Sequence, residues 1–262
     1  MELIQGDCLD ILSTLETDSV DLIFTSPPYA QQRKTTYGGI NTDDYVQWFM
    51  PRATEIHRVL RPTGTFMLNI KEHASNGQRS TYVLELIMEM VRQGWLWTEE
   101  FVWCKTTTVP GRWPTRFRNA WERLLQFNIQ SGFSMYQDAV KVPRSDASRK
   151  KEQNRKLNAK YSPTGSGFTN HAGTIKPVSP FIYPTNVLHL ATEGRNVGHS
   201  AAFPVSLPDW FIRLFTVEGD TVIDPFVGSG TTGVAAKALG RKFIGIDTNA
   251  EYIELARRRI NG

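Results

Sequence analysis

Apolar positions in this chain alternate between short unbroken runs and stripes at helical spacing. Leu3-Ile4-Gln5 reads as a first short strand ending at Gly6-Asp7, residues 9–15 as a helix, and 20–24 as a buried strand. Tyr45, Phe49, Ala53, Ile56 and Leu60 recur at helical intervals; Arg61-Pro62-Thr63-Gly64 is expected to end that helix before a strand at 65–70. An amphipathic helix at 80–93 stops at Gly94, ahead of an aromatic and β-branched strand at 95–104. Residues 121–129 predict another strand, expected at the edge of the main sheet. Periodicity fades between about 105 and 186, and order is expected to return after Asn196. There Ser206-Leu207-Pro208-Asp209 opens a helix, 220–226 forms a strand running into a Gly-rich turn, and helix 232–239 and strand 243–247 complete a βαβ unit. A last helix at 250–260 carries Arg257-Arg258-Arg259 near its C-terminus, where cations favour the helix dipole. This alternation predicts an α/β fold, Rossmann-like and doubly wound, around a mostly parallel sheet.

At 262 residues the chain is long enough for one α/β domain with an insertion, divided here as 1–130, 131–186 and 187–262. No apolar run reaches membrane-span length, and the N-terminal residues lack the pattern of a signal peptide, so a soluble cytoplasmic protein, nucleoid-associated through its partner, is expected. Cys8 and Cys104 stand far apart without metal-ligand spacing, which argues against a disulfide framework or a metal site. Net charge is +4, yet residues 105–186 hold 14 Lys and Arg against 4 Asp and Glu, a local +10 on a remainder of −6. Residues 141–160 concentrate this charge, including Arg149, Lys150, Lys151, Arg155 and Lys156. A solvated basic linker would look similar, but interleaved Phe133, Tyr136, Tyr161, Phe168, Phe181 and Tyr183 favour a nucleic-acid-binding module.

Two motifs carry the chemistry. Thr25-Ser26-Pro27-Pro28-Tyr29 follows a buried strand, and the paired prolines can continue neither a ladder nor an early helix. They fix an extended loop where open α/β sheets bind ligands, with a hydroxyl before it and an aromatic ring after it. That combination suits a planar amino-bearing ring such as an extruded nucleobase, although an ordinary proline turn would share the sequence. The polar stretch 30–41, with Gly38-Gly39, reads as a mobile loop, and its Arg33 and Lys34 face solvent or phosphate. The second motif is Asp224-Pro225-Phe226-Val227-Gly228-Ser229-Gly230-Thr231-Thr232. Gly228 and Gly230 allow a tight turn at a helix N-terminus, and Asp247 is spaced to accept from both ribose hydroxyls of a nucleoside cofactor. Gly233 completes a Gly-x-Gly-x-x-Gly spacing, so NAD is not excluded by spacing. Asp224, read as an acceptor for a cationic amino group and a poor neighbour for a pyrophosphate, favours S-adenosyl-L-methionine.

In their order along the chain these motifs resemble the β group of DNA amino-methyltransferases. The resemblance implies a circularly permuted class I methyltransferase fold, an inserted target-recognition region, and double-stranded DNA as partner. It implies that Asp7, with Cys8 beside it, meets the cofactor's adenine, and that His199, Ser200, Phe203 and Pro204 form a cofactor-side motif. Phe226 would pack beside the cofactor, and Thr231 lies on its loop. It further implies that Ser26 and the Pro27 carbonyl orient an exocyclic amino group while Pro28 and Tyr29 shape the base pocket, Tyr29 stacking on the flipped base. Ser-Pro-Pro-Tyr resembles the cytosine-N4 subset; adenine-N6 transfer, an RNA or small-molecule acceptor, and a DNA-binding protein with a silent cofactor domain are the alternatives. Ring-carbon methylation would need a thiolate nucleophile, and neither cysteine stands in a Pro-Cys loop. His57, His73 and His171 read as surface or loop residues, and Trp113 as a core or a stacking residue. A monomer and a homodimer remain open, as does a separate restriction endonuclease acting on the same sites.

Overall fold

The computed structural model describes residues 1–31, 39–75, 77–108, 111–112, 114, 116–147, 150–151, 154, 179–192 and 203–262. Two compact units emerge, one of 1–136 with 186–262 and one of 137–185.

The larger unit is built on an eight-stranded sheet. Its strands are β1 (Glu2–Gln5), β2 (Val20–Thr25), β3 (Leu60–Ile70), β6 (Leu96–Lys105), β7 (Trp121–Asn128), β10 (Val187–Leu190), β11 (Thr221–Asp224) and β12 (Lys242–Asp247), in the order β1-β12-β11-β2-β3-β7-β6-β10, while β4 (Ala74–Ser75) pairs with β5 (Gln78–Arg79) apart from it. Every pairing is parallel except those of β7 with β3 and with β6. Six helices accompany it among the described residues: α1 (Cys8–Thr14), α2 (Tyr45–Val59), α3 (Tyr82–Arg92), α4 (Ser206–Phe215), α5 (Thr231–Ala238) and α6 (Ala250–Asn261). Alternation along the strands divides the core. Ile23, Phe66, Leu68 and Ile70 join the cluster formed with α1, α2 and α3, while Phe24 turns to the other face and meets Phe211 of α4.

The order of connection through the sheet reverses between β11 and β2. From β11 the chain crosses through α5 to β12 on one side, and from β2 through α2 to β3 on the other, while Val222 and Ile223 pair directly with Leu22 and Ile23. The carboxyl ends of β11 and β2 therefore lie side by side at a topological switch point, where doubly wound sheets bind ligands.

Three expectations are corrected. Residues 121–129 do not form an edge strand: β7 is hydrogen-bonded on both sides, to β3 and to β6, and Leu124, Leu125 and Phe127 are buried. Interior strands covered on both faces read as dense apolar runs, and the weak periodicity around this one concealed that. Order resumes before Asn196, because Val187–Leu190 pairs in parallel with β6 and supplies the edge. Arg61-Pro62-Thr63-Gly64 does not separate helix from strand. Leu60 already pairs with Val20 and Thr65 with Leu22, so the four residues bulge from β3, and Arg61 forms an ion pair with Asp21.

The smaller unit contains the two-stranded pairing of β8 (Val142–Pro143) with β9 (Phe181–Ile182). Lys141 pairs with Asp138 at 2.7 Å and lies 4.8 Å over the ring of Tyr183.

Candidate active site

The Gly-rich turn closes around two carboxylates. Asp224, at the end of β11, is 1% exposed. Its Oδ1 accepts from the Thr25 hydroxyl at 2.6 Å and the Phe226 N–H at 3.1 Å, and its Oδ2 from the Thr232 hydroxyl at 2.6 Å. Burial raises its pKa to about 6, with the Thr232, Thr25 and Phe226 hydrogen bonds pulling the other way. The expectation that Asp224 faces a cationic amino group meets a different geometry, since these bonds turn the carboxylate inward. It ties the residue before Ser26 to the helix after the Gly-rich turn, so the two motifs share one anchor. Asp247, 2% exposed at the end of β12, accepts from the Gly228 N–H at 3.0 Å and the Asn249 N–H at 2.9 Å.

The glycines of this turn have distinct tasks. Gly230 sits at φ +82°, and a Cβ there would come within 2.9 Å of the Ala256 backbone on α6. A Cβ on Gly233 would lie 2.4 Å from Ile260, so that glycine serves helix packing. Arg259 of α6 braces the turn from outside, donating to the Ser229 carbonyl at 2.9 Å and its hydroxyl at 2.6 Å.

A cleft of about 270 Å³ opens at these strand ends, lined by Gly6, Asp7, Cys8, Pro28, Ile40, Trp48, Arg52, Pro225, Phe226, Asp247 and Thr248. It gathers Asp7, Cys8, Pro28, Phe226 and Asp247 from segments that the sequence separates by up to 240 positions. Phe203 and Pro204 are not in its lining: Phe203 packs edge-on against Phe24 at 5.5 Å, and the Pro204 carbonyl accepts from Leu207 N at the start of α4. Arg33, Lys34, Arg149, Arg155, Lys156, His199, Ser200, Trp113 and His171 lie outside the described residues, as does most of the expected mobile loop. Lys150 and Lys151 are exposed.

Trp48 and Arg52 were not singled out in the sequence. Arg52 stands on the same stripe of α2 as Tyr45, Phe49, Ala53 and Ile56, and a charge on an apolar stripe was the available signal. Its Nη2 donates to both Asp7 oxygens at 2.9 and 2.8 Å, its Nη1 donates to the Trp48 carbonyl, and its guanidinium lies 4.3 Å over the Trp48 ring. Asp7 also caps α1, accepting from Leu9 N at 2.9 Å. Burial pushes the Cys8 thiol up to about 12, against the nearby Arg52 charge, so it is a neutral wall of the cleft.

The catalytic-loop candidates sit beside a second group the sequence did not disclose. Ser26 donates to the Tyr29 hydroxyl at 3.1 Å, and Tyr29 donates to Glu122 at 2.8 Å with Asn69 Oδ1 at 3.3 Å. Glu122, on β7 and 5% exposed, accepts from Lys71 at 3.0 Å and Lys105 at 2.7 Å. Burial would raise its pKa, but the two ammonium groups outweigh that and hold it below the usual carboxylate range. The Tyr29 phenol is pushed well above its ordinary value by burial and then by Glu122, so it stays protonated.

Comparison with known proteins places this geometry. The type II methyltransferase M.PvuII of Proteus hauseri is 29% identical over 276 aligned positions, covering 95% of this chain and 80% of the relative. The solved PvuII DNA methyltransferase, described as cytosine-N4-specific, superposes with a TM-score of 0.74 at 25% identity, covering 98% of this chain and 85% of that one. The M1.HpyAVI–SAM complex shares the fold at a TM-score of 0.62 and 19% identity, covering 100% of this chain and 99% of that one. A family model for N6/N4 DNA methylases matches residues 20–258, and the chain belongs to that family.

Proposed function

We propose that this DNA methylase transfers the methyl group of S-adenosyl-L-methionine to the exocyclic N4 of a cytosine flipped from a specific double-stranded DNA sequence, directly and in line: the N4–methyl bond forms as the methyl–sulfur bond breaks, the cofactor leaves as its neutral thioether, and the surplus amino proton passes to water. The observation that carries the reading is the Thr25–Asp224 hydrogen bond, which joins the Ser-Pro-Pro-Tyr loop to the Gly-rich turn at the switch point. A cofactor on one loop and a base on the other would then meet at a fixed distance, and positioning is the main contribution a protein makes to such a transfer.

The cleft fits the nucleoside part of the cofactor. Asp247, in its lining, would accept from ribose hydroxyls, Asp7 from an amino edge of the adenine, and Phe226 would cover its face. When bound, the cofactor supplies a sulfonium-activated methyl. Ser26 Oγ and the Pro27 carbonyl accept from the two amino N–H groups, draw the nitrogen out of conjugation and aim its lone pair. Tyr29 offers its ring to the base, and no protein nucleophile is needed. Ser-Pro-Pro-Tyr and the cytosine-N4 description of the PvuII enzyme support cytosine over adenine. The basic segment within 137–185, with Lys150 and Lys151 exposed, supports a target-recognition role for that unit.

The test is chemical. DNA incubated with the protein and labelled cofactor is digested to nucleosides and analysed by mass spectrometry. N4-methylcytosine is expected. N6-methyladenine alone would overturn the base assignment, and an unmodified digest would overturn the reaction.

A further inference from the structure

The hydrogen bonds behind the catalytic loop have a direction, and the direction is forced. Glu122 is an ionised carboxylate and can only accept. The Asn69 amide is oriented by its Nδ2, which donates to the Arg123 carbonyl at 3.0 Å, so the oxygen that faces Tyr29 can also only accept. The single phenolic proton of Tyr29 is therefore committed toward Glu122 and Asn69. In its 3.1 Å contact with Ser26 the Tyr29 oxygen can serve only as acceptor, and the Ser26 proton points at Tyr29. That leaves the lone pairs of Ser26 Oγ unshared with its own proton and available to accept.

We propose that Glu122 is a positioning residue for methyl transfer, acting through Tyr29 to hold Ser26 as a pure hydrogen-bond acceptor for the substrate amino group. An isolated serine hydroxyl could rotate and donate as readily as accept. Donation to an amino nitrogen would engage the very lone pair that must attack, whereas acceptance from its N–H leaves that lone pair free. The chain Ser26 to Tyr29 to Glu122 removes the wrong orientation before the base arrives, which is preorganisation of the kind that lowers barriers.

The surroundings of Glu122 suit this task and not proton transfer. Lys71, just past the end of β3, and Lys105, at the end of β6, both bind it, Tyr29 approaches from the loop, and the Tyr82 hydroxyl donates to the Lys71 carbonyl. The neighbouring Arg123 is occupied by Glu72 and Glu100. Two cations keep the carboxylate charged over the working pH range, so it remains an acceptor and is a poor base. Lys71 also lies 5.5 Å from the Tyr29 ring centre, steadying the ring from one side.

This inference rests on the reading that Ser26 and Tyr29 receive a flipped base, and one set of measurements separates the two. Single-turnover methyl transfer, cofactor affinity by calorimetry, and fluorescence of DNA with 2-aminopurine at the target are compared for the wild type, Tyr29→Phe, Glu122→Gln and the double variant. Tyr29→Phe removes one oxygen and keeps the ring. Its flipping signal and cofactor affinity should match the wild type while the transfer rate falls about 10- to 100-fold, the size expected for losing control of one charge-linked hydrogen bond at the transition state. Glu122→Gln should fall by a similar factor, and the double variant no further than the worse single one. In Lys105→Met the acid limb of the pH–rate profile should move to higher pH, because burial then acts on Glu122 with less opposition. A wild-type rate in Tyr29→Phe, or additive losses in the double variant, would overturn the role of Glu122 with the methyltransferase reading intact. Absence of transfer by the wild type would overturn the reading itself.

Discussion

Ser26 and Asp224 show how much a single side chain decides in this protein. Ser26→Ala leaves the loop backbone in place but removes one amino-group acceptor. Single-turnover transfer should fall about 10- to 100-fold with cofactor affinity nearly unchanged, since that bond matters most at the transition state. Asp224 is an acid whose folded pKa, about 6, stands above its ordinary 3.8. Its protonated form is thus favoured by folding: the contribution is complete below about 3.8 and is lost as pH rises through about 6. The difference amounts to roughly 3 kcal/mol between those limits. Urea unfolding of the wild type and Asp224→Asn at pH 4 and 7 should show this contribution only in the wild type. An identical pH dependence of the two would place the burden of burial elsewhere.

Among the elements, α2 and β7 matter more than their sequences suggest. The buried stripe of α2 brings Arg52, its side chain 9% exposed, onto Asp7, whose side chain is 41% exposed. Arg52→Met keeps the aliphatic packing of the stem and releases Asp7 from its partner. Removing one member of a half-buried pair costs about 1–3 kcal/mol, so cofactor affinity should weaken about 5- to 100-fold with the helical circular-dichroism signal retained. An unchanged affinity would mean that Asp7 is held well enough by its role as cap of α1. The central placement of β7 explains why the Glu122 cluster exists at all. A strand running antiparallel between β3 and β6 puts its start beside the carboxyl ends of its neighbours, and so brings Glu122 next to Lys71 and Lys105.

For the molecule as a whole, the division of charge is the dominant property. The +10 of residues 105–186 against −6 elsewhere should make DNA affinity fall steeply with salt through counterion release. Neutralising Arg149, Lys150 and Lys151 together should weaken binding and reduce the slope of log affinity against log salt by up to about 3, with cofactor affinity preserved. Fluorescence anisotropy across a salt series measures both, and a wild-type slope in the triple variant would put the recognition surface elsewhere. Among the described residues no helix is long and apolar enough to cross a membrane.

The sequence by itself determined the alternation of strands and helices, the two motifs, and the residues at their centres. These are local matters: apolar periodicity, proline's missing N–H and glycine's freedom at φ +82° act within a few residues. The tertiary structure alone decided which strand lies inside the sheet, that the strand at 187–190 closes its edge, and that a bulge replaces the expected turn at 61–64. It also decided partnership. Asp224 accepts from Thr25, 199 positions away, and Tyr29 meets Glu122 across 93. A charge read along the chain has no partner until strand order assigns one. Glu122 therefore looks like one acid in a basic segment, and only the folded sheet makes it the fixed end of a hydrogen-bonded chain that begins at Ser26.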